Sequence, residues 1–362
     1  MDIISFMDEM ITEAVLMDAS DIHLEPMRDG LRIRQRVDGL LMEVTRISRS
    51  EGQAVISRLK VMGELDIGEK RLPQDGACKL LITGRVDKVD IRLSTMPTVF
   101  GEKVVLRLLH SRAHSIRLTD LGLEPLQRKR LHRLITQPHG LIVVTGPTGS
   151  GKTSTLYALL QELNQTKVNI VTLEDPIECQ LDGINQVQIR PKAGLTFSSG
   201  LRALLRQDPN VMMVGEIRDQ ETAEIALRAA LTGHLVLTTL HTVDTCSAIT
   251  RFLDMNIAPY RVAAALSGVV AQRLVRLLCT ICKGEGCTSC HQVGYRGRKG
   301  IFEVLSITEH WQRMIVQTSS LSQFRERLRE ERIATLAEIG QARVKAEEID
   351  LHEFHRVVEA FA

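Results

Sequence analysis

Aromatic side chains make up only 3% of the 362 residues, and Trp311 is the one tryptophan. Stacking platforms for single-stranded nucleic acid need exposed rings, so that partner is poorly supplied. Charge of one sign is equally scarce. Forty-six lysines and arginines face 44 acids, a formal net charge of +2, whereas a dedicated nucleic-acid binder carries a strong basic excess. No apolar run reaches the roughly 18 residues of a membrane-crossing helix. The best candidate, residues 262–271, is flanked by Arg261 and Arg273. The amino terminus lacks a basic region followed by an apolar one, so no secretory signal is read. Four of the seven cysteines crowd into residues 279–290, which suggests metal binding in a reducing cytosol rather than a disulfide scaffold. These absences predict a cytoplasmic protein whose membrane attachment comes through a partner.

What is present begins at residues 141–160. Leu-Ile-Val-Val-Thr runs into Gly-Pro-Thr-Gly-Ser-Gly-Lys-Thr at 146–153, followed by Ser154 and a helical pattern. Strand, glycine-rich turn and helix in that order form a P-loop. Gly146, Pro147, Thr148, Gly149, Ser150, Gly151, Lys152, Thr153 and Ser154 are therefore the predicted nucleotide-binding residues. Backbone N–H groups and the helix N-terminus attract phosphate. Lys152 would reach the β/γ phosphates, and the Thr153 hydroxyl would hold Mg2+. The expected ligands are ATP and Mg2+.

A chain of this length predicts two or three domains. Residues 1–110 read as a small α+β domain: a helix near the start, a period-two strand at 31–37 ending in Asp-Gly, a helix at about 51–62, then strands near 77–81, 88–94 and 103–109. Residues 111–119 read as a hinge linker. Over 120–275, apolar strands at 141–145, 169–173, 211–215 and 235–239 alternate with helical patterns, which predicts a parallel sheet covered on both faces. Residues 276–362 read as a cysteine element, one strand at 300–304 and short amphipathic helices.

A P-loop ATPase needs an acid at the end of another core strand. Glu216 stands at one such tip; Glu174 and Asp175 stand at another, before Pro176. Either could equally be a solvated carboxylate after a core strand. His234 precedes the strand at 235–239 and His241 follows it; only His241 lies at the carboxyl end, where ligands bind in such sheets.

Residues 172–178 (Thr-Leu-Glu-Asp-Pro-Ile-Glu), 204–209 (Leu-Leu-Arg-Gln-Asp-Pro), 215–219 (Gly-Glu-Ile-Arg-Asp) and 231–235 (Leu-Thr-Gly-His-Leu) complete a pattern. With residues 21–26, 36–39 and 97–103 of the first domain, it resembles the secretion ATPases of type II secretion and type IV pilus assembly (the GspE/PilB group) over nearly the whole chain. The resemblance implies a PAS-like first domain, a RecA-like second domain, and a homo-hexamer holding nucleotide between the two. It makes Glu216 the Walker B acid, Glu174 an acid near the γ-phosphate or water, and His234 part of a phosphate-sensing box. Arg92 and Arg107 would reach the triphosphate from the first domain, and Arg202 and Arg206 from the second. Read from residues alone, Arg92 and Arg107 could merely lie on a strand's polar face. The implied partner is an inner-membrane platform protein, with no direct contact to nucleic acid. The motifs begin almost at Met1, as in the short competence pilus ATPases (ComGA-like), which lack the larger members' amino-terminal domain.

Cys279, Cys282, Cys287 and Cys290 form two Cys-x-x-Cys knuckles, a tetrahedral Zn2+ pattern, with only four residues between the pairs. Free or redox-active thiols are the alternative. The rival function is a RecA-like nucleic-acid motor or loader.

Overall fold

The computed structural model describes residues 2–81, 88–109, 117–318 and 320–358. The chain divides into two compact units, Met1–Ser115 and Ile116–Ala362. The expected hinge at 111–119 straddles that division, and its residues 111–116 lie outside the described ones.

In the first unit the elements are α1 (Ile3–Leu16), β1 (Asp21–Pro26), β2 (Leu31–Val37), β3 (Leu40–Ile47), α2 (Arg49–Met62), β4 (Gln74–Leu81), β5 (Lys88–Thr98) and β6 (Gly101–Leu109). Asp2 caps α1 through the N–H groups of Ile4 and Ser5. A reciprocal Ser48–Glu51 box starts α2 two residues before the sequence expectation. The strands form one sheet, ordered β3-β2-β1-β6-β5-β4, with every neighbour antiparallel. Alternation decides its faces. Ile22, Leu24, Ile33, Ile91, Leu93, Val104 and Leu106 pack beneath the apolar stripes of α1 and α2. The opposite face carries charge: Arg36, Asp21, Arg107 and Arg92 stand in register across β2, β1, β6 and β5.

The second unit contains α3 (Pro125–Ile135), β7 (Gly140–Thr145), α4 (Lys152–Leu163), β8 (Ile170–Glu174), β9 (Asn185–Gln188), α5 (Phe197–Leu204), β10 (Val211–Val214), α6 (Gln220–Leu231), β11 (Leu235–Leu240), α7 (Thr245–Asp254), α8 (Pro259–Ala265), β12 (Leu266–Leu278) and β13 (Tyr295–Ser306). Helices α9 (Glu309–Gln317), α10 (Leu321–Glu330), α11 (Leu336–Lys345) and α12 (Leu351–Val357) follow. Seven strands form a sheet ordered β13-β12-β7-β11-β10-β8-β9. Pairing is parallel from β12 through β9, and β13 closes one edge antiparallel to β12. β7, β8, β10 and β11 are buried along their whole length, as the near-continuous apolar runs require.

The domain boundary expected at residue 275 falls inside β12. Part of the apolar stretch 262–271 is a strand that joins the sheet beside β7, with Ala271 opposite Thr145. Its partner β13 runs antiparallel with it. The helices beyond are a layer on this same sheet. Leu336, Ile339, Phe354 and Val357 pack with Ala271, Val275 and Ile301, while Trp311 and Phe324 pack with Val269 and Leu305.

Candidate functional site

β7 ends at Thr145, and the chain turns back through Gly146, Gly149 and Gly151 with φ of +153°, +78° and +87°. An L side chain is strained in such conformations. Space excludes it too: a Cβ on Gly146 would stand 2.5 Å from the Gln272 carbonyl oxygen, and one on Gly151 2.8 Å from Gln272 Nε2. Gly151 caps α4, so the first N–H groups of that helix and its dipole converge on the loop. Lys152 opens the helix and is buried; its Nζ donates to the carbonyls of Gly146 at 2.8 Å and Pro147 at 3.0 Å. Thr148, Gly149 and Thr153 are exposed on the loop, while Ser150 is buried.

Burial depresses the Lys152 pKa to about 8; Glu216 opposes the shift and Arg273 adds to it. Phosphate binding requires the charged amine. Below pH 8 the amine already carries its proton; above it, binding must take one up. Affinity for ADP is therefore expected to be level below pH 8 and to fall by up to about tenfold per unit above it. Titration calorimetry at pH 7, 8 and 9 checks this, and a flat profile contradicts it.

Glu216 follows β10 and His241 follows β11; β11 lies beside β7 and β10 beside β11, all three parallel. The Glu216 side chain is largely buried and accepts from Arg218 Nη2 at 2.6 Å; His241 Nε2 stands 3.7 Å from its other oxygen. Burial, and then the charge of Lys152, pull the His241 pKa down, while Glu216 pulls it up. Thr145 and Thr242 share a 2.7 Å hydroxyl contact, and the Thr242 N–H donates to Thr145 Oγ1 at 3.0 Å. Those bonds fasten the loop after β11 to the end of β7. A lysine, a carboxylate and an imidazole thus gather at the carboxyl ends of three parallel strands, with a phosphate cradle beside them.

Other expected site residues do not join this group. The Glu174 carboxylate is 3% exposed and is held by the Tyr157 hydroxyl, by Thr172 Oγ1 at 2.5 Å and by Gln186 Nε2 at 3.0 Å. Those donors fix it between α4, β8 and β9 and so favour Glu216 as the acid facing the lysine. Asp175 beside it is exposed. His234, expected near phosphate, stands at the amino end of β11. Its Nδ1 lies 3.0 Å from the Ala229 carbonyl at the end of α6, and six residues of β11 separate it from His241, about 20 Å of extended chain. Chain direction in a parallel sheet dictates this displacement. Arg202 pairs with Glu221 at 2.5 Å, both side chains more than half exposed; Arg206 Nη1 donates to the Arg202 carbonyl at 2.9 Å. In the first unit Arg107 is 60% exposed and bonds Asp21 at 3.0 Å, with Arg92 directly across from it.

Two residues beside the loop carry no recognisable motif. Gln272 and Arg273 on β12 are 1% and 3% exposed. Arg273 Nη1 donates to the Gln272 carbonyl at 3.0 Å and Nη2 to the Val243 carbonyl at 2.7 Å. Only a pairing between distant strands places them there.

Between β12 and β13 the four cysteine sulfurs converge, all within 4.8 Å of one another. Cys279–Cys287, Cys282–Cys290 and Cys287–Cys290 Sγ separations are 3.8, 3.6 and 3.7 Å. A tetrahedral Zn2+ with bonds near 2.3 Å sets its sulfurs about 3.8 Å apart. Backbone N–H groups of Gly286 and Gly294 point at the Cys282 and Cys290 sulfurs, each at 3.2 Å, which favours thiolate. The short spacer is thus no obstacle, and the donor set fits zinc. Four thiolates leave no open coordination position, so such an ion would brace the fold rather than react.

The family model described as "Type II/IV secretion system protein" matches residues 1–356. The type II secretion system protein HxcR of Pseudomonas aeruginosa is 47% identical over 363 residues, covering 98% of this chain and 77% of that one. The type II secretion system ATPase E of Vibrio cholerae is 50% identical over 338 residues, covering 86% of this chain and 67% of that one. A crystal structure of the pilus retraction motor PilT with bound ADP aligns with a TM-score of 0.67 at 27% identity, covering 96% of each chain. No helix among the described residues is long and apolar enough to cross a membrane.

Proposed function

The chain belongs to the family of type II/IV secretion system proteins, and from that premise we propose how its ATP hydrolysis is carried out and what it drives. It is a secretion and pilus-assembly ATPase that works with a membrane platform. The observation that carries the mechanism is the gathering of Lys152, Glu216 and His241 at the carboxyl ends of β7, β10 and β11. Lys152 and the N–H groups of the loop neutralise the β/γ phosphates. Thr153 would hold Mg2+, which would supply further positive charge beside the phosphates, and Glu216 would orient the attacking water. His241, kept neutral by burial and by Lys152, accepts or donates a hydrogen bond beside the Glu216 carboxylate without adding charge. Glu174 holds the loop after β8 in place through Tyr157 and Gln186. Arginines supply further positive charge to the transferring phosphoryl group: Arg92 and Arg107 from the first unit, which is read as the PAS-like module, and Arg202 and Arg206 from α5 and the turn after it.

The finer reading is a hexameric motor that assembles a type II pseudopilus. Its support is the secretion role printed for the two curated relatives. Neither bears a competence name, and nothing singles out that narrower role. One assay tests function and direction of partnership together. ATP turnover is expected to rise when the cytoplasmic part of a secretion platform protein is added and to stay level with DNA. Arg107→Ala should lower turnover about tenfold in assembled protein. Stimulation by DNA alone would transfer the chain to the nucleic-acid motors.

Zinc is the proposed occupant of the four thiolates. Chelation is expected to lower the thermal midpoint of the second unit while changing ADP affinity by less than about twofold. Elemental analysis showing no zinc in freshly purified protein contradicts it.

A further inference from the structure

Gln272 has no place in the mechanism above, yet it touches the phosphate cradle at three points. β12 runs parallel to β7 with Ala271 opposite Thr145, so Gln272 lies alongside Gly146, where the loop begins. Its carbonyl oxygen occupies the space a Gly146 Cβ would need, and its Nε2 the space of a Gly151 Cβ. Its Oε1 accepts from the Thr155 hydroxyl at 2.7 Å, in the first turn of α4. Both side chains are buried, Gln272 at 1% and Thr155 at 0% exposure. The loop's first residue, its last glycine and the helix it feeds therefore rest on one residue of a neighbouring strand, the first on its backbone and the other two on its side chain.

Resting on the nucleotide site described above, we propose that Gln272 is a positioning residue for nucleotide binding: it fixes the curvature of the phosphate cradle from β12. A P-loop binds because several N–H groups already point at one place. That convergence is lost if the start of α4 drifts relative to Gly146. The Thr155–Gln272 bond holds the helix, and the glutamine's backbone and amide fill the two gaps left by the glycines. Arg273 donates to the same carbonyl and ties it to Val243 in the loop after β11. The arrangement acts on the free energy of binding phosphate, not on the bond being cleaved. Its signature is a change in KM and nucleotide Kd with a smaller change in kcat.

The test uses the full chain with Gln272→Met, Thr155→Val and the double variant. ADP affinity is read by titration calorimetry, KM and kcat by phosphate release, and folding by thermal melting. Gln272→Met is expected to raise ADP Kd and ATP KM about tenfold while kcat stays within about threefold. Thr155→Val, which keeps its volume and loses the hydroxyl, should give a smaller rise. In the double variant the effects should be less than additive, because both remove one bond. Unchanged Kd in Gln272→Met, or strictly additive effects, would overturn the proposal. If Gln272→Met fails to fold, Thr155→Val decides: a normal Kd there overturns it as well. Absence of ADP binding by the unaltered protein would instead remove the nucleotide reading itself.

Discussion

A chain carrying Lys152→Ala is expected to lose ATP turnover by about 10²–10³-fold, the usual cost of deleting one preorganised electrostatic stabiliser. The position leaves little room for replacement. Lys152 is the first residue of α4 and is buried, so solvent cannot supply an equivalent charge to the same point. Nearby Arg273 is engaged with two backbone carbonyls. Phosphate release at saturating ATP, beside circular dichroism to confirm the fold, measures the effect. Turnover at the parental rate would end the assignment of this loop as the catalytic nucleotide site.

The second large effect concerns stability. Arg276 on β12 and Glu353 on α12 form a 2.7 Å ion pair with side chains 3% and 0% exposed. The Arg276 backbone N–H donates to the other Glu353 oxygen at 2.8 Å, Arg356 adds a further bond at 2.6 Å, and the Arg276 guanidinium lies 4.0 Å from the Tyr295 ring centre. Glu353→Ala is expected to destabilise the second unit by about 3–5 kcal/mol, because it strands a buried arginine. Replacing the pair together, as Arg276→Met with Glu353→Leu, should recover much of that loss. Urea unfolding midpoints compare the three proteins. Burial pushes the Glu353 carboxyl up, but Arg356 and Arg276 outweigh it and hold its pKa below the ordinary value. Its contribution is therefore complete above the unfolded carboxyl pKa and drains away as pH falls through the lowered one.

Much of the site was legible because it is local. Eight consecutive residues and the strand before them set the P-loop, and the parallel sheet follows from apolar runs separated by helical patterns. Glu216 and His241 were readable by one rule, that residues following parallel strands share an edge. The same rule excludes His234 from that edge. The rest depended on distant pairing. β12 is hidden because residues 262–271 suit a helix as well as a strand, and the chain splits the stretch between α8 and β12. β9, Asn-Gln-Val-Gln, is short, polar and at an edge, so no apolar period announces it. The burial of Glu174 depends on Tyr157 and Gln186, 17 and 12 residues away, which no spacing rule predicts.

The β12–β13 ribbon has one more consequence. Leu278 pairs with Tyr295 at its far end, and the Cys279 N–H donates to the Gly294 carbonyl at 2.8 Å, so the ribbon is already knotted shut before the sulfurs begin. Whatever hangs beyond that knot can be lengthened or shortened without tugging on the middle of β12, where Gln272 meets the loop. The tassel between the two knuckles can thus change length while the engine it dangles from keeps its tolerances.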